Sequence, residues 1–366
     1  PCNLRIDGKI IEDIITCIEI LNEKSNSMQK KILVTGGTGY IGSHTVVELI
    51  KEGFEVVIID NLSNSKIEVL DNIEKIAGKR PVFYQFDLCD AVELEAFFKK
   101  EGDISSIIHF AASKAVGESV EKPLLYYKNN LQSLVNLLEL MRTFSVPNIV
   151  FSSSCTVYGQ PDKLPVTEST PYQVAESPYG NTKQIGEEIL KDTCKAHSEI
   201  KSIALRYFNP VGAHESALIG ELPLGTPNNL VPFITQTAAG IREQLSVFGS
   251  DYNTPDGTAV RDYIHVVDLA KAHVISVKRL LGNLNKSNFE FFNIGTGNGN
   301  SVLETIQTFE KVNGVKVNYK LVDRRPGDIE QIYADTSFAN EELGWKAEKG
   351  LEEMMSSAWK WQQTVK

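Results

Sequence analysis

Short runs of consecutive apolar residues, separated by stretches with helical periodicity, constrain this chain more than any other feature. Because the apolar side chains follow one another without polar alternation, both faces of each strand must be buried, as they are in parallel sheets. The runs lie at residues 31–35, 55–60, 82–86, 106–110, 148–152, 202–207 and 289–295. Helical stretches lie between them, notably at 45–51, 130–144 and 179–195. This alternation predicts an α/β fold, a doubly wound parallel sheet (Rossmann) with right-handed crossovers.

The rhythm changes after Asn209, where prolines and glycines become frequent. We therefore expect residues 30–208 to form the sheet domain. Residues 209–362 are expected to form mainly a second, smaller mixed α/β domain that binds the substrate, with segments near 260–296 returning to the first.

Residues 1–29 are expected to be an extension outside the fold, because the first strand pattern begins only after Met28. The apolar run at 10–21 contains Glu12, Asp13 and Glu19. It is therefore too short and too charged to span a bilayer, and it lacks the arrangement of a signal peptide. No membrane association is expected.

The composition is that of an ordinary globular protein, with 42% apolar and 23% charged residues among 366. Lys and Arg number 37 against 47 Asp and Glu, a formal net charge of -10. This charge disfavours binding to nucleic acid, since the sequence has no local basic stripe. The five cysteines have no metal-clip or CxxC spacing. We expect no metal site, no disulfide framework and a cytoplasmic location.

A glycine-rich turn directly follows the first predicted strand, with glycines at Gly36, Gly39 and Gly42. Glycines at this spacing let a backbone approach a pyrophosphate, which then lies at the N-terminus of the following helix. Asp60 ends the second strand about 20 residues downstream, where a carboxylate accepts hydrogen bonds from an adenosine ribose. A carboxylate repels a 2′-phosphate, and Asn61 follows rather than an arginine, so we expect NAD rather than NADP. The alternative is that Asp60 only forms a turn.

Tyr179 and Lys183 are four residues apart, so a helix presents them on one face. A lysine and a nicotinamide cation close to the phenol would favour phenolate. Lowering the tyrosine pKa from about 10 by about three units requires roughly 4 kcal/mol of differential electrostatics. Tyr179 could then remove a hydroxyl proton while a cofactor takes a hydride. The alternative for this pair is a solvated helical face.

Serines end the fifth predicted strand, at the edge of a parallel sheet that faces the ligand crevice. We choose Ser154 as the residue that hydrogen-bonds the reacting oxygen and relays its proton, because its neighbours would point elsewhere. Otherwise, the serines would only satisfy their own loop backbone.

Several motifs, read in order, resemble the UDP-glucose 4-epimerase family of extended short-chain dehydrogenases/reductases over residues 31 to about 362. They are GGTGYIGS (36–43), DNLSNS (60–65), HFAA (109–112), YYKNN (126–130), SSSCTVYG (152–159), SPYGNTK (177–183), RYFNPVGAH (206–214) and RDYIHVVDLA (261–270). The resemblance implies bound NAD, a UDP-hexose substrate, interconversion of UDP-glucose and UDP-galactose through a 4-keto sugar, a place in galactose metabolism, and a homodimer.

The resemblance also implies residue roles. Tyr179 is the base, Ser154 the proton relay, and Lys183 the ribose holder and pKa modulator. The positions that match cofactor contacts are Gly36, Gly39, Tyr40, Ile41, Gly42, Asp60, Asn61, Leu62, Ser63, Asn64, Ser65, Asp87, Leu88, Phe110, Ala111, Ala112, Ser113, Lys114, Asn129, Ser154, Tyr179, Lys183 and Phe208. The positions that match substrate contacts are Lys114, Ser154, Tyr179, Asn209, Asn229, Leu230, Arg261, Tyr263, Arg325, Asp328 and Ile332. Arg325 could instead form a loop salt bridge.

Two alternatives to an epimerase remain. A nucleotide-sugar 4,6-dehydratase of the same fold carries Asp-Glu after the catalytic serine or threonine, where this chain has Cys155 and Thr156. A non-catalytic NAD-binding regulator would need the glycines but not Tyr179, Lys183 and Ser154 together. The chain departs from the common family pattern at Cys155 and at 112–113. It also carries Ile332 at a position that influences whether N-acetylated sugars fit.

Overall fold

The computed structural model of the chain describes residues 30–325 and 329–365. Its strands are β1 Lys31–Thr35, β2 Glu55–Ile59, β3 Val82–Tyr84, β4 Ile104–His109, β5 Asn148–Ser154, β6 Lys201–Tyr207, β7 Asn209–Val211, β8 Leu245–Phe248, β9 Val260–His265, β10 Phe289–Ile294, β11 Gly299–Ser301, β12 Tyr319–Val322 and β13 Gln331–Ile332. Its α-helices are α1 Tyr40–Lys51, α2 Val69–Ala77, α3 Ala91–Glu101, α4 Val116–Glu121, α5 Pro123–Thr143, α6 Pro178–Ala196, α7 Leu230–Ala238, α8 Val266–Leu281, α9 Val302–Asn313 and α10 Leu351–Gln362. The expected extension at 1–29 lies outside the described residues.

A seven-stranded sheet in the order β10-β6-β5-β4-β1-β2-β3 forms the centre of the protein. Every neighbouring pair in it is parallel. This confirms the parallel doubly wound fold. The helix predicted at 45–51 begins a turn earlier, at Tyr40, and the one predicted at 130–144 begins at Pro123, where proline suits a first helical turn.

Helices cover both faces of the sheet, because successive strand residues point to opposite sides. On β1, Ile32 and Val34 pack with α1, α2 and α8 in one apolar cluster. Leu33, between them, packs with α3, α5 and α6 in another. All three side chains are fully buried. The uninterrupted apolar runs of the sequence therefore correspond to strands buried on both faces.

The direction of winding reverses between β1 and β4, which are neighbours in the sheet but far apart in sequence. β2 and β3 follow on one side of β1, while β5 and β6 extend beyond β4 on the other. Ligands of open α/β sheets bind outside the carboxyl ends of the strands at such a reversal. The turn after β1, the segment after β4 and the serines that end β5 all lie at this edge.

A smaller α/β lobe follows, built on the strand set β11-β9-β13 with β7 paired to β9, and on the pair β12-β8. Its apolar core joins residues of α7, α9 and α10 with Val247 of β8 and Tyr263 of β9. The chain returns to the main sheet through α8, which packs on α1, and β10, which pairs with β6.

Candidate active site

The glycine turn packs against the segment after β4 so closely that side chains are excluded. Gly36 has φ +72, and a Cβ there would lie 2.8 Å from the backbone nitrogen of Ala111. A Cβ on Gly42 would lie 2.2 Å from the carbonyl oxygen of Gly36. Among the described residues no side chain caps the start of α1, and its first turn holds no acidic residue. The free amides and the helix dipole therefore suit an anionic group such as a pyrophosphate.

Asp60 stands immediately after β2, beside this turn. Its Oδ2 accepts the backbone N–H of Thr38 at 3.2 Å, and its Oδ1 accepts that of Leu62 at 2.9 Å. Leu62 has φ 58, a left-handed conformation. Asp60 therefore does shape its turn, as the alternative interpretation holds. Oδ1 also accepts the hydroxyl of Ser65 at 3.4 Å. A carboxylate oxygen can accept two hydrogen bonds, so Oδ2 keeps capacity for a ribose hydroxyl.

The other wall of the crevice is held by side-chain amides. Asn61 donates to Asp87 Oδ2 at 3.0 Å, and Asn129 donates to Ser113 Oγ at 3.2 Å. Asn130, which the sequence analysis did not select, is buried and donates to Ser113 O at 3.0 Å and to Thr182 Oγ1 at 3.1 Å. It thereby ties the segment after β4 to α6. The only sequence feature that could have pointed to Asn130 is the pair of adjacent asparagines at 129–130.

The remaining predicted cofactor residues lie along the same edge. The hydroxyl of Tyr40 donates to Gly212 O at 2.7 Å, which joins α1 to the second lobe. Leu88 and Phe208 are buried, and Phe110 contacts His273 with ring centroids 4.6 Å apart. Ile41, Ser63, Asn64, Ser65, Ala112 and Lys114 lie in the loops and the helix start that surround the crevice.

Ser154 meets Tyr179 at the end of β5. Ser177 caps α6 by accepting the N–H of Gly180 at 3.1 Å, which places Tyr179 in the first turn. The Ser154 side chain lies close enough to the Tyr179 hydroxyl to lower the pKa of the tyrosine, and its Oγ accepts the N–H of Thr156 at 3.2 Å.

The two preceding serines point elsewhere. The Ser152 hydroxyl bonds to the Tyr207 hydroxyl, and the Ser153 hydroxyl donates to Glu187. Of the three serines that end β5, Ser154 is therefore the one beside Tyr179 whose hydroxyl is not taken up by Tyr207 or Glu187.

Lys183 lies beneath the tyrosine ring, with Nζ 5.8 Å from the ring centroid of Tyr179 and 2.6 Å from its acceptor, Ser152 O. Burial lowers the pKa of Lys183 to about 8, against an opposing contribution from Glu187. Burial also raises the pKa of Tyr179, with a further increase from Tyr207 and a decrease from the neighbouring Ser154 side chain. The sequence argument expected a lowered value. Since burial outweighs the protein's own groups, a lower pKa requires a cation brought against the ring.

The predicted substrate residues come mostly from the second lobe. Asn229 precedes α7, which begins at Leu230, and donates to Glu221 Oε1 at 2.7 Å. Lys114 Nζ, from the sheet domain, lies 3.7 Å from the same oxygen. The sequence analysis missed Glu221, and no local pattern singles it out. Asn209 begins β7.

Arg261 and Ile332 are paired across β9 and β13. Arg261 donates to Val260 O at 2.9 Å, and its charge acts on Cys155 beside Ser154. Ile332 is buried with Val157 of the turn after Ser154. Both residues therefore lie near the end of β5.

Arg325 and Tyr263 occupy other parts of the second lobe. The Arg325 guanidinium is 5.7 Å from the ring centroid of Phe248. Tyr263 is buried in the core of this lobe, and that burial raises the pKa of its phenol. Asp328 lies outside the described residues. A cleft of about 750 Å³ between 296–300 and 346–351 includes Tyr263 but none of the residues expected to carry the chemistry.

Neither a cluster of metal ligands nor a membrane-spanning helix is found in the part of the chain that the structure describes. No three His, Cys, Asp or Glu side chains cluster as metal ligands would. None of the helices combines the length and apolar character that crossing a bilayer requires.

The chain matches known proteins over nearly the whole described region. The family model described as GDP-mannose 4,6 dehydratase matches residues 33–358. The UDP-glucose 4-epimerase of Haemophilus influenzae is 54% identical, over 90% of this chain and 97% of its own. The crystal structure of UDP-glucose 4-epimerase from Bifidobacterium longum, in complex with NAD+ and UDP, has TM-score 0.87 and 48% identity, covering 91% of this chain and 98% of that one. A Stenotrophomonas maltophila UDP-glucose-4-epimerase with bound NAD and formylated UDP-arabinopyranose has TM-score 0.88 and 48% identity, covering 92% and 98%.

Proposed function

The chain belongs to the UDP-glucose 4-epimerase family, and from that membership we propose that it interconverts UDP-glucose and UDP-galactose, with Tyr179, Ser154 and Lys183 as its catalytic residues. One observation carries the residue assignment. The hydroxyl of Tyr179 lies beside Ser154 at the carboxyl end of β5, with buried Lys183 beneath the same ring. This hydroxyl pair faces the edge of the sheet where the uncapped start of α1 lies.

The residues at that edge fit NAD, since side chains are excluded from the glycine turn and Oδ2 of Asp60 retains acceptor capacity. When bound, NAD supplies a hydride acceptor for C4 of the hexose and returns the hydride to the opposite face. We assign residues 30–208, with the returning segments, to the cofactor and residues 209–362 mainly to the UDP-sugar.

Side chains of the protein itself transfer the proton. Tyr179 takes the O4 proton as the C4–H bond breaks, directly or through Ser154, and returns a proton to O4 after the keto sugar turns. Lys183, with its pKa near 8, carries positive charge for much of the time at neutral pH and stabilises the phenolate. No net oxidation results, because the hydride and the proton both return to the sugar.

The UDP portion is assigned to Arg261, Arg325, Asn209 and the start of α7. Arginine suits a diphosphate because its fork makes paired, charge-assisted hydrogen bonds. Anchoring the diphosphate lets the 4-keto sugar rotate without leaving. Lys114 and Asn229, both held by Glu221, border the same region.

The dehydratase alternative is not favoured. Elimination of water from C5–C6 needs an acid/base pair after the serine, and this chain has Cys155 and Thr156 there. Burial raises the pKa of Cys155 to about 12, so its thiol stays neutral and cannot serve as a base at neutral pH. A purely regulatory NAD-binding protein does not require a lysine buried beneath a tyrosine, because binding NAD needs no proton transfer.

A homodimer through α5 and α6 is part of the proposal. These helices pack side by side, and Leu131, Val135 and Ile185 on them are only half-buried, while Leu124 at the start of α5 is exposed. A second copy would bury this row of apolar side chains. Replacing Leu131 and Val135 by glutamate is expected to halve the mass measured by light scattering. An unchanged mass contradicts this interface.

A cytoplasmic role in galactose metabolism completes the proposal. It is supported by the free thiols of Cys89, Cys155 and Cys194, which suit a reducing compartment. A deletion strain is expected to lose growth on galactose and to regain it with this gene. Recovery with the Tyr179→Phe form would contradict the role.

The deciding experiment incubates the protein with UDP-galactose and couples UDP-glucose to its dehydrogenase. Formation of UDP-glucose is expected, whereas no product at high enzyme concentration refutes the proposed function. A 4-keto-6-deoxy sugar would instead identify a dehydratase. Running UDP-N-acetylgalactosamine in parallel tests whether Ile332 leaves room for the acetamido group.

A further inference from the structure

Glu187 and Arg206 form an ion pair buried directly behind the hydroxyl pair of the proposed active site. Their side chains are 1% and 3% exposed. Arg206 Nη2 donates to Glu187 Oε2 at 2.6 Å, and Nε donates to Oε1 at 3.0 Å, so the contact is bidentate. The guanidinium also lies 4.1 Å from the ring centroid of Phe291.

The pair touches each segment that carries a proposed catalytic residue. Glu187 lies on α6 one helical turn after Lys183, and it accepts the hydroxyl of Ser153, the neighbour of Ser154. Arg206 donates at 3.0 Å to the hydroxyl of Tyr158, in the short 3-10 turn that follows Ser154.

Two further contacts enclose the pair. The hydroxyl of Tyr172 donates to Glu187 and accepts from Arg206 at 2.6 Å. The hydroxyl of Tyr158 donates to Asn293 Oδ1 at 2.6 Å, which connects the network to β10. Strand β5, its following turn, helix α6 and strand β10 therefore meet at one pair of charges.

Stability alone does not account for such a pair. Desolvating two charges cancels most of their attraction, and well-packed apolar side chains of similar volume are often as stable or more stable. A bidentate pair with further hydrogen bonds does, however, fix the relative position of the segments that carry it. Ser153 is a neighbour of Ser154, and Lys183 shares a helix face with Glu187, so a shift of the pair would be transmitted to both.

We propose that Glu187 and Arg206 are positioning residues, which hold the end of β5 and helix α6 at the separation that keeps Ser154 beside the Tyr179 hydroxyl. The proposal rests on the proposed function. Neither residue is assigned to the substrate or the cofactor, so they act through Ser154, Tyr179 and Lys183.

Glu187 also acts on Lys183 through its charge. Burial lowers the pKa of Lys183 and the Glu187 carboxylate raises it. Lys183 further faces Phe151, with Nζ 4.9 Å from its ring centroid, and the carbonyl of Ser152. The carboxylate thus helps keep a buried lysine cationic.

The test compares E187Q with E290Q. Glu290 forms a matched bidentate pair with Arg279, with side chains 9% and 10% exposed, on β10 and α8. Both changes are expected to lower Tm. E187Q alone is expected to lower kcat by about 10-fold to 100-fold, the range for a misplaced catalytic group, with NAD content and KM for UDP-galactose nearly unchanged. An equal loss of kcat in E290Q would reduce the effect to general destabilisation and overturn the proposal.

The double variant E187Q/R206Q separates geometry from charge balance. With no uncompensated charge left, its Tm is expected to rise above that of E187Q while kcat stays low. If kcat recovers together with Tm, positioning is refuted.

If E187Q does not fold, Ser153→Ala provides the measurement, because it removes one bond and leaves the ion pair intact. A loss of kcat at unchanged KM supports the proposal, and wild-type kcat overturns it. A wild-type protein without activity would refute the proposed function itself. If the wild-type protein is active and E187Q or Ser153→Ala is equally active, only the positioning proposal is refuted.

Discussion

Replacing Gly42 by alanine gives the sharpest test of the proposed cofactor turn. The new Cβ would lie 2.2 Å from Gly36 O and 2.9 Å from the Cα of Gly37, both backbone atoms. Ordinary van der Waals contact begins at 3.4 Å. The turn and the start of α1 must therefore separate by about 1 Å, because no flexible side chain can move instead.

The size of the effect follows from that displacement. Hydrogen bonds of about 2.9 Å from the helix start to a pyrophosphate would lengthen to about 3.9 Å and be lost. Hydrogen bonds to charged groups contribute about 1.5–3 kcal/mol each. Loss of two therefore weakens NAD binding by about 3–6 kcal/mol, or roughly 10²-fold to 10⁴-fold in Kd.

The assay measures NAD released from the purified protein and the Kd for added NAD by calorimetry, with circular dichroism to confirm folding. Gly117→Ala on α4 is the matched control, since a Cβ there meets nothing within 4 Å. It should leave NAD binding unchanged and stability equal or slightly higher. Folded Gly42→Ala protein that binds NAD within threefold of wild type would refute the reasoning.

Three other predictions follow from the same geometry. Tyr179→Phe should lower kcat by about 10²-fold to 10⁴-fold yet retain NAD; turnover near the wild-type rate in the UDP-galactose assay would remove Tyr179 as the base. Asp60→Ala should weaken NAD binding and reduce the protein's preference for NAD over NADP. If the ratio of the Kd for NADP to the Kd for NAD is unchanged, Asp60 has only its turn-forming role. Burial holds the pKa of His44, His109 and His265 at about 3, whereas unfolded histidine has a pKa of about 6.5. The unfolded chain thus binds protons first, so the free energy of unfolding should fall as pH drops from about 6.5 towards 3; equal denaturant midpoints at pH 7 and pH 5 would contradict this.

Much of the cofactor edge could be predicted because its information is local. A glycine turn between a strand and a helix needs only the neighbouring backbone, and two side chains four residues apart share a helix face wherever that helix packs. The alternation of strands and helices likewise predicts parallel strands joined by right-handed crossovers, but it does not give the order of the strands in the sheet.

Contacts between distant segments could not be predicted in this way. Asn130 bonds to Thr182 across two helices, and Glu221 lies between Lys114 and Asn229. The direction of the Tyr179 pKa also differed from the expectation. The sequence identifies the lysine nearby, but the cost of burying a phenolate depends on everything packed around it.

The sequence by itself determined which segments form the strands of the main sheet and which residue types reach its carboxyl edge, because hydrophobic periodicity and turn chemistry act over a few residues. Only the tertiary structure decided which side chains meet there. Ser154 lies beside Tyr179, whereas the hydroxyls of Ser152 and Ser153 bond to Tyr207 and to Glu187 of the buried pair. Such choices depend on the closeness of packing between segments far apart in the chain, which no spacing along the sequence records.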